Sequence, residues 1–210
     1  MINVPVKIDF KRTMKELYQS NSNEVVNIEV PEMQFLMIDG MGSPGESQEY
    51  LDALATLYPV AFKIKFLSKA KGKDYVVPPL EGLWWADNMS DFVEGKRDKW
   101  QWTMMIMLPD WVTEEMVNEA IKTTKKNKPE ILEGIKKLRF EKYNEGKCAQ
   151  IMHIGPYSEE GPTVKMVHEF IEKQKGIFDG HVQKHHEIYL SDPRKTKPEN
   201  MKTIIRQPYL

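Results

Sequence analysis

The chain has 210 residues, of which 29% are charged and 40% hydrophobic, and its formal net charge is −1. This composition is ordinary for a globular protein, and the balanced charge gives no general attraction to nucleic acid or to an anionic membrane. Cys148 is the single cysteine, so no disulfide can form within the chain, and no apolar run approaches membrane-spanning length. We therefore expect a soluble cytoplasmic protein. Five Trp, eight Tyr and thirteen Met are a surplus that suits a pocket as well as a core.

The first half of the chain alternates helical and extended patterns. Residues 8–19 have apolar side chains at helical spacing and predict a short amphipathic helix. Strand patterns near 26–30 and 34–38 lead through a glycine-rich loop into a helix from about Ser47 to Leu67, in which Pro59 should cause a kink. The stretch 74–87 looks extended but is interrupted by two prolines. Residues 100–108 predict a strand that is apolar on both faces and therefore covered on both.

The second half repeats this alternation after a helical connector. A helix begins at Thr113 and ends near Pro129, and a short helix follows to about Lys137. A hairpin over 138–154, a helix that ends near Gln174, a strand over 182–190 and a last strand near 201–206 complete the chain. In the strand over 182–190, alternation places His185, Glu187 and Tyr189 on one face and an apolar set on the other.

An internal repeat organises these elements. Met37–Ser43 resembles Met152–Ser158, and Leu80–Trp85 aligns with His186–Ser191, which pairs Glu81 with Glu187. We predict an α+β fold of two pseudo-symmetric β-α-β-β repeats that form an antiparallel sheet with a central ligand cleft, plus extra helices. The predicted organisation is an N-terminal helical lead over 1–23 and one domain over 24–210. Within that domain the repeats cover about 24–112 and 138–207, and the connector covers 113–137.

Four strings carry a resemblance to a known family: PEMQFLMIDGMGSP (31–44), VVPPLEGLWW (76–85), GPYSEE (155–160) and HHEIYLSDPRK (185–195). They resemble the GyrI-like small-molecule-binding family, which shares its fold with the effector-binding domains of multidrug-sensing transcription activators. The resemblance implies an aromatic pocket for bulky, lipophilic and often cationic molecules, with a glutamate at the place of Glu187 facing the ligand. Some stand-alone members that resemble this chain hydrolyse the cyclopropane ring of genotoxic natural products. The lead of 23 residues is too short for a helix-turn-helix, so direct DNA binding is disfavoured.

The predicted site combines two acids with aromatic side chains. If Glu81 and Glu187 face one cleft, they can serve as a general acid and base. Taken by itself, Glu187 is also consistent with a surface acid that pairs with a lysine. The tryptophans are likewise consistent with positions in the hydrophobic core. The predicted ligand-binding residues are Tyr58, Trp84, Trp102, Met104, Tyr143, Tyr157, Phe170, His185 and Tyr189.

No cofactor is predicted. The spacing of His153, His181, His185 and His186 fits no usual zinc signature, so we expect no metal, and no P-loop or GxSxG motif occurs. The leading hypothesis is the binding of lipophilic xenobiotics, with hydrolysis of cyclopropane-bearing electrophiles. The alternatives are a non-catalytic drug-sequestering module and a protein partner that acts as the family's gyrase inhibitor does. Expected partners are small molecules; neither a membrane nor nucleic acid is expected to bind directly, and a protein partner is left unidentified.

Overall fold

The computed structural model of the protein describes residues 6–210, with every side chain in that range except that of Val93. The α-helices in this range are α1 Phe10–Thr13, α2 Lys15–Tyr18, α3 Gln48–Ala70, α4 Ser90–Val93, α5 Glu114–Asn127, α6 Leu132–Lys137 and α7 Gly161–Lys173. The strands are β1 Val26–Val30, β2 Met33–Met41, β3 Leu80–Trp85, β4 Gln101–Leu108, β5 Arg139–Tyr143, β6 Gly146–Ile154, β7 His185–Tyr189 and β8 Lys202–Pro208. None of the helices in the described part of the chain is long and apolar enough to cross a membrane.

These strands form a single antiparallel sheet in the order β1-β6-β8-β7-β3-β4-β2-β5. The two halves are β2-α3-β3-β4 and β6-α7-β7-β8, and they meet where β3 pairs with β7. The edge strands are exchanged, because β1 pairs with β6 of the second half and β5 pairs with β2 of the first. The predicted α+β fold is confirmed, and the junction of the halves lies at the middle of the sheet.

The sheet is covered on both faces. On one side, which we name the helix face, α3 packs over β2 and β4 while α7 packs over β6 and β8. On the other side, which we name the N-terminal face, α1 and α2 place Phe10, Met14, Leu17 and Tyr18 against the strands. Strand β4 is buried on both faces, as its apolar pattern predicts. A side chain of the central strands is therefore enclosed whichever way it points.

Helix α3 is the longest in the described chain and continues through Pro59. The Ser47 hydroxyl accepts a hydrogen bond from the Tyr50 amide at 3.3 Å and so caps the first turn. Pro59 removes the backbone hydrogen bond to Ala55, which is an exposed residue of the helix. The predicted single helix over 8–19 is instead the pair α1 and α2, because Met14 leaves the helical conformation at φ −109° and ψ 58°.

Candidate functional site

The centre of the helix face carries a glutamate held at both oxygens. His185 Nε2 lies 3.2 Å from Glu187 Oε1, and the Tyr189 hydroxyl donates to Glu187 Oε2 at 2.7 Å. Trp84 Nε1 in turn donates to the Tyr189 oxygen at 3.1 Å. A carboxylate can only accept, so the His185 nitrogen is the donor in its pair. Burial and the Glu187 charge raise the pKa of Tyr189 well above its ordinary value, which keeps that hydroxyl protonated.

A glycine makes this arrangement fit. Gly82 of β3 lies directly opposite Glu187 in the strand pairing. A Cβ at Gly82 would come within 2.6 Å of Met104 Cε, 2.8 Å of Trp84 Nε1 and 3.1 Å of the Tyr189 oxygen. The absence of a side chain at this position therefore leaves the space that the hydrogen-bonded tyrosine occupies.

A second carboxyl group lies beside Glu187. Glu160 is buried at the end of the 3-10 turn over 157–159, directly before α7, and it lies against Glu187 and Thr203. No described residue donates a hydrogen bond to Glu160 Oε1. Burial, and then the charge of Glu187, raise the pKa of Glu160 to about 9, so this group keeps its proton at neutral pH. The pair thus consists of a carboxylate that accepts hydrogen bonds at both oxygens and a carboxylic acid that can donate one.

Aromatic side chains from both halves surround the two acids. The rings of Tyr157 and Tyr189 are 5.6 Å apart and meet edge to face, and Tyr50 of α3 packs in the same way against Trp102 at 5.5 Å. Burial, followed by the charges of Glu160 and Glu187, raises the pKa of Tyr157 to about 12. We name the region between α3 and α7 the central seam and define it by Tyr50, Trp84, Tyr157, Glu160, His185, Glu187 and Tyr189.

The outer edge of the central seam is partly exposed. Tyr58 and Tyr157 both reach solvent there. Tyr58 also lies near Asp192 and Arg194, in the charged loop that follows β7. This edge is the direction from which a ligand could reach the acids.

Glu81 does not share this region, and the prediction of one cleft containing Glu81 and Glu187 is wrong. In the strand pairing Glu81 lies opposite Ile188, whereas Gly82 lies opposite Glu187. Directly opposed residues project from the same face, so the two glutamates project from opposite faces of the sheet. The alignment of the repeats is one residue out of register at this point, which exchanges the faces of the two side chains.

Glu81 belongs instead to a buried ion network on the N-terminal face. It accepts a hydrogen bond from Tyr18 at 3.0 Å and lies 3.1 Å from His186 Nε2. His186 Nδ1 lies 2.8 Å from Glu145, which pairs with Arg206 at 3.1 Å. All of these side chains are almost fully enclosed. The network fastens α2 to the middle of the sheet, so the position of Glu81 gives it a structural role.

The other predicted ligand-binding residues are buried in the core or lie away from the two acids. Trp102 and Met104 lie on the helix face but are fully buried beneath the seam. Tyr143 lies on the N-terminal face, where it packs against Phe35, and Phe170 packs over the far half of the sheet beside Val25. The structure therefore does not bring Tyr143 or Phe170 to Glu187. Both are aromatic, but the residue type alone carries no information about the face on which a side chain lies.

The histidines considered as metal ligands are dispersed. His153 bonds to Thr163 at 2.9 Å, His185 to Glu187 and His186 to Glu145, while His181 lies in an exposed loop. Among residues 6–210, no three His, Cys, Asp or Glu side chains are grouped to hold a metal ion.

Two surface grooves lie away from the acids. Their volumes are about 440 and 400 Å³; the first lies against α2 and β1, and the second lies between α7 and the two residues that precede β1. Strand β1 is three strands from β7, roughly 14 Å across the sheet. One groove is lined mainly by polar residues and the other by both kinds, and neither contains a residue of the central seam.

Comparison with known proteins identifies the class of domain. The model of the GyrI-like small-molecule-binding domain matches residues 23–210. An uncharacterized conserved protein from Listeria innocua is 43% identical with a TM-score of 0.90, and the match covers 97% of this chain and 100% of that one. A protein described as a hydrolase from Listeria innocua is 44% identical with a TM-score of 0.86 and the same coverage. No curated protein matches the chain significantly.

A more distant structure shares the fold alone. The C-terminal domain of EcmrR is 12% identical, with a TM-score of 0.55, and the match covers 89% of this chain and 97% of that domain. The fold and the family match together define a small-molecule-binding α+β domain. The chain belongs to the family of GyrI-like small-molecule-binding domains.

Sequence reasoning missed Glu160 and Tyr50 as residues of the seam. Glu160 lies directly before a helix, where an acid is expected merely to complement the helix dipole, so its position did not distinguish a site from a cap. In the structure it caps no backbone amide. Tyr50 follows the apolar pattern of α3, and only the tertiary structure shows that its hydroxyl lies near Tyr157 and Glu187.

Proposed function

We propose that the central seam binds lipophilic, aromatic or cationic small molecules, and that it hydrolyses strained electrophiles that carry a cyclopropane ring. The observation that supports this proposal is the pair of Glu160 and Glu187, one protonated and one accepting, inside an aromatic enclosure. The Listeria innocua protein that is 44% identical over almost the whole chain is described as a hydrolase.

Electrostatics favours cationic and electron-poor guests. The Glu187 side chain has only 16% of its surface exposed, so little water screens its charge. The rings of Tyr157 and Tyr189 add negative π faces within the same enclosure. A flat aromatic cation can therefore gain from the carboxylate and from the rings at once.

The two acids can perform the complete addition of water. Glu187 removes a proton from water, and the water oxygen bonds to a cyclopropane carbon. The carbon–carbon bond breaks, and its electron pair moves into a conjugated carbonyl whose oxygen takes the proton of Glu160. Transfer of the new proton from Glu187 to Glu160 restores the starting state. The role that sequence reasoning gave to Glu81 passes in this proposal to Glu160, because Glu160 lies beside Glu187.

Binding without turnover is the second candidate. Both oxygens of Glu187 are already occupied, by His185 and by Tyr189, so action as a base requires one of these bonds to lengthen. If neither bond lengthens, Glu187 holds a cation but activates no water. The protein then sequesters its ligand.

Incubation with a cyclopropane-bearing alkylator, followed by mass spectrometry, separates the two functions. The catalytic proposal predicts a product heavier by one water. It also predicts that Glu160→Gln and Glu187→Gln each slow its formation by about 10²–10⁴-fold. Glu159→Gln is the matched control, because Glu159 is the exposed neighbour of Glu160, and its rate should equal that of the wild type. If no product forms but a cationic dye quenches the tryptophan fluorescence in a saturable way, the protein binds its ligand without hydrolysing it.

A further inference from the structure

The solvent-facing side of α3 is unusually apolar. We name it the outer face of α3 and define it by Leu51, Asp52, Ala55, Tyr58, Phe62, Lys63 and Phe66. Its large apolar side chains are exposed by 45% at Leu51, 38% at Tyr58, 47% at Phe62 and 57% at Phe66. Together with Ala55 they recur every three or four residues and form one stripe, about 22 Å long at 1.5 Å per residue.

This stripe is separate from the side of α3 that builds the core. Leu57, Val60 and Ile64 point inward and are fully buried against the sheet. A helix that is apolar on both sides normally has both sides covered. The loop after β7 approaches Tyr58, and the Lys65 ammonium group lies over the ring of Phe66. The large apolar side chains of this face nevertheless stay exposed in the described part of the chain, which indicates a surface that meets another molecule.

The charges on the outer face indicate which molecule fits. Asp52 lies towards the start of the stripe and Lys63 towards its end, at equal distances from the helix position near Tyr58. Of the three lysines in α3, Lys65 and Lys69 are engaged by Asp74 at 3.0 and 3.7 Å, which leaves Lys63 for an intermolecular pair. Asp52 accepts a hydrogen bond from the uncharged Gln48 amide at 2.7 Å.

We propose that the outer face of α3 pairs with the same face of a second copy of this chain, with the two helices antiparallel about a twofold axis near Tyr58. In that arrangement Asp52 of each copy lies level with the other copy's Lys63, and the aromatic stripes interdigitate between the two ion pairs. A surface that complements itself in this way gives a closed dimer. One helix pair makes a small interface, so the association is reversible and depends on protein concentration.

Sedimentation equilibrium of the full chain tests the pairing. With rising concentration the average mass should approach twice 24.5 kDa. The double variant Phe62→Ser/Phe66→Ser should remain a monomer, and circular dichroism should show an unchanged fold because both rings are exposed. Val182→Ser is the control for loss of an exposed apolar side chain elsewhere, since Val182 is 73% exposed, and it should dimerise as the wild type does.

A charge exchange tests the antiparallel register. Asp52→Lys should raise the dissociation constant roughly tenfold, because the introduced ammonium group then meets Lys63 of the other copy, and the added change Lys63→Asp should restore it. A wild type that stays monomeric would overturn the proposal, as would a dimer that survives loss of both rings or a charge exchange that restores nothing. Binding of the monomer to vesicles that contain anionic lipid, lost in the Phe62→Ser/Phe66→Ser variant, would also overturn it, because it would identify a lipid surface as the occupant.

Discussion

Stability should fall as the pH rises through the titration of the buried His186. Burial alone would lower the pKa of His186, but Glu145 outweighs that effect, with help from Glu81, and raises the pKa to about 8. The ordinary value is 6.5. A histidine whose folded pKa is raised contributes stability that is complete below its unfolded pKa and lost as the pH passes its folded pKa. The window of this loss therefore runs from about pH 6 to about pH 9.

The expected loss is about 2 kcal/mol, since the pKa difference is about 1.5 and each unit is worth about 1.4 kcal/mol. For a chain of this length it corresponds to about 4–8 °C in melting temperature. Glu160 loses its proton in the same window and would add to the slope. The pH dependence of the free energy of unfolding is therefore compared between Glu160→Gln and the double variant Glu160→Gln/His186→Gln. The contributions of the other titrating groups are common to both variants and cancel in the difference.

Urea unfolding of both variants at about pH 6 and about pH 9.5 gives the two slopes. The single variant should lose about 2 kcal/mol more free energy of unfolding than the double variant over this interval. Equal losses in the two variants would refute the assignment of a charged His186 to the buried network.

Three further predictions concern the groups around the two acids. Gly82→Ala should weaken dye binding by about tenfold or more and leave the protein folded, because the added methyl group displaces Met104 Cε and disturbs the hydrogen-bonded Tyr189. An unchanged affinity in a fluorescence titration would contradict this. Tyr18→Phe should lower the free energy of unfolding by about 1–3 kcal/mol without changing ligand affinity, since it removes the hydrogen bond to the buried Glu81. Burial alone would raise the pKa of Glu145, but the charges of His186 and Arg206 outweigh it and lower that pKa to about 2. The free energy of unfolding should therefore decline as the pH falls from about 4.5 towards 2, and Glu145→Gln should make that decline smaller.

The fold could be read from the sequence where periodicity is strong. The strand over 100–108 has apolar residues on both faces and is indeed buried on both, and the repeat correctly places two β-α-β-β halves side by side. The break at Met14 could not be foreseen, because the residues on either side continue the helical spacing and only the docking of α1 and α2 on the sheet ends the first helix there.

The site could be read only in part, because a face depends on register. His185, Glu187 and Tyr189 share one face as alternation requires, since all three belong to one strand. To predict which residue of β3 lies opposite Glu187, the relative register of β3 and β7 has to be known. An error of one residue in that register puts Glu81 in the place of Gly82. The sequence does not predict that Glu160 belongs to the site, for a different reason. Its raised pKa comes from burial beside another acid, and that burial arises only when the turn before α7 packs over β7.

The protonation state of Glu160 tests the central claim most directly. In protein that carries ¹³C at the glutamate carboxyl carbons, Glu160→Gln identifies the resonance, and a pH titration follows its chemical shift. We expect a midpoint at about 9 in the wild type and a clearly lower midpoint in Glu187→Gln, because the neighbouring charge is then removed. A midpoint near the ordinary value of 4.5, the same in both proteins, would contradict a proton-sharing pair of acids in the central seam.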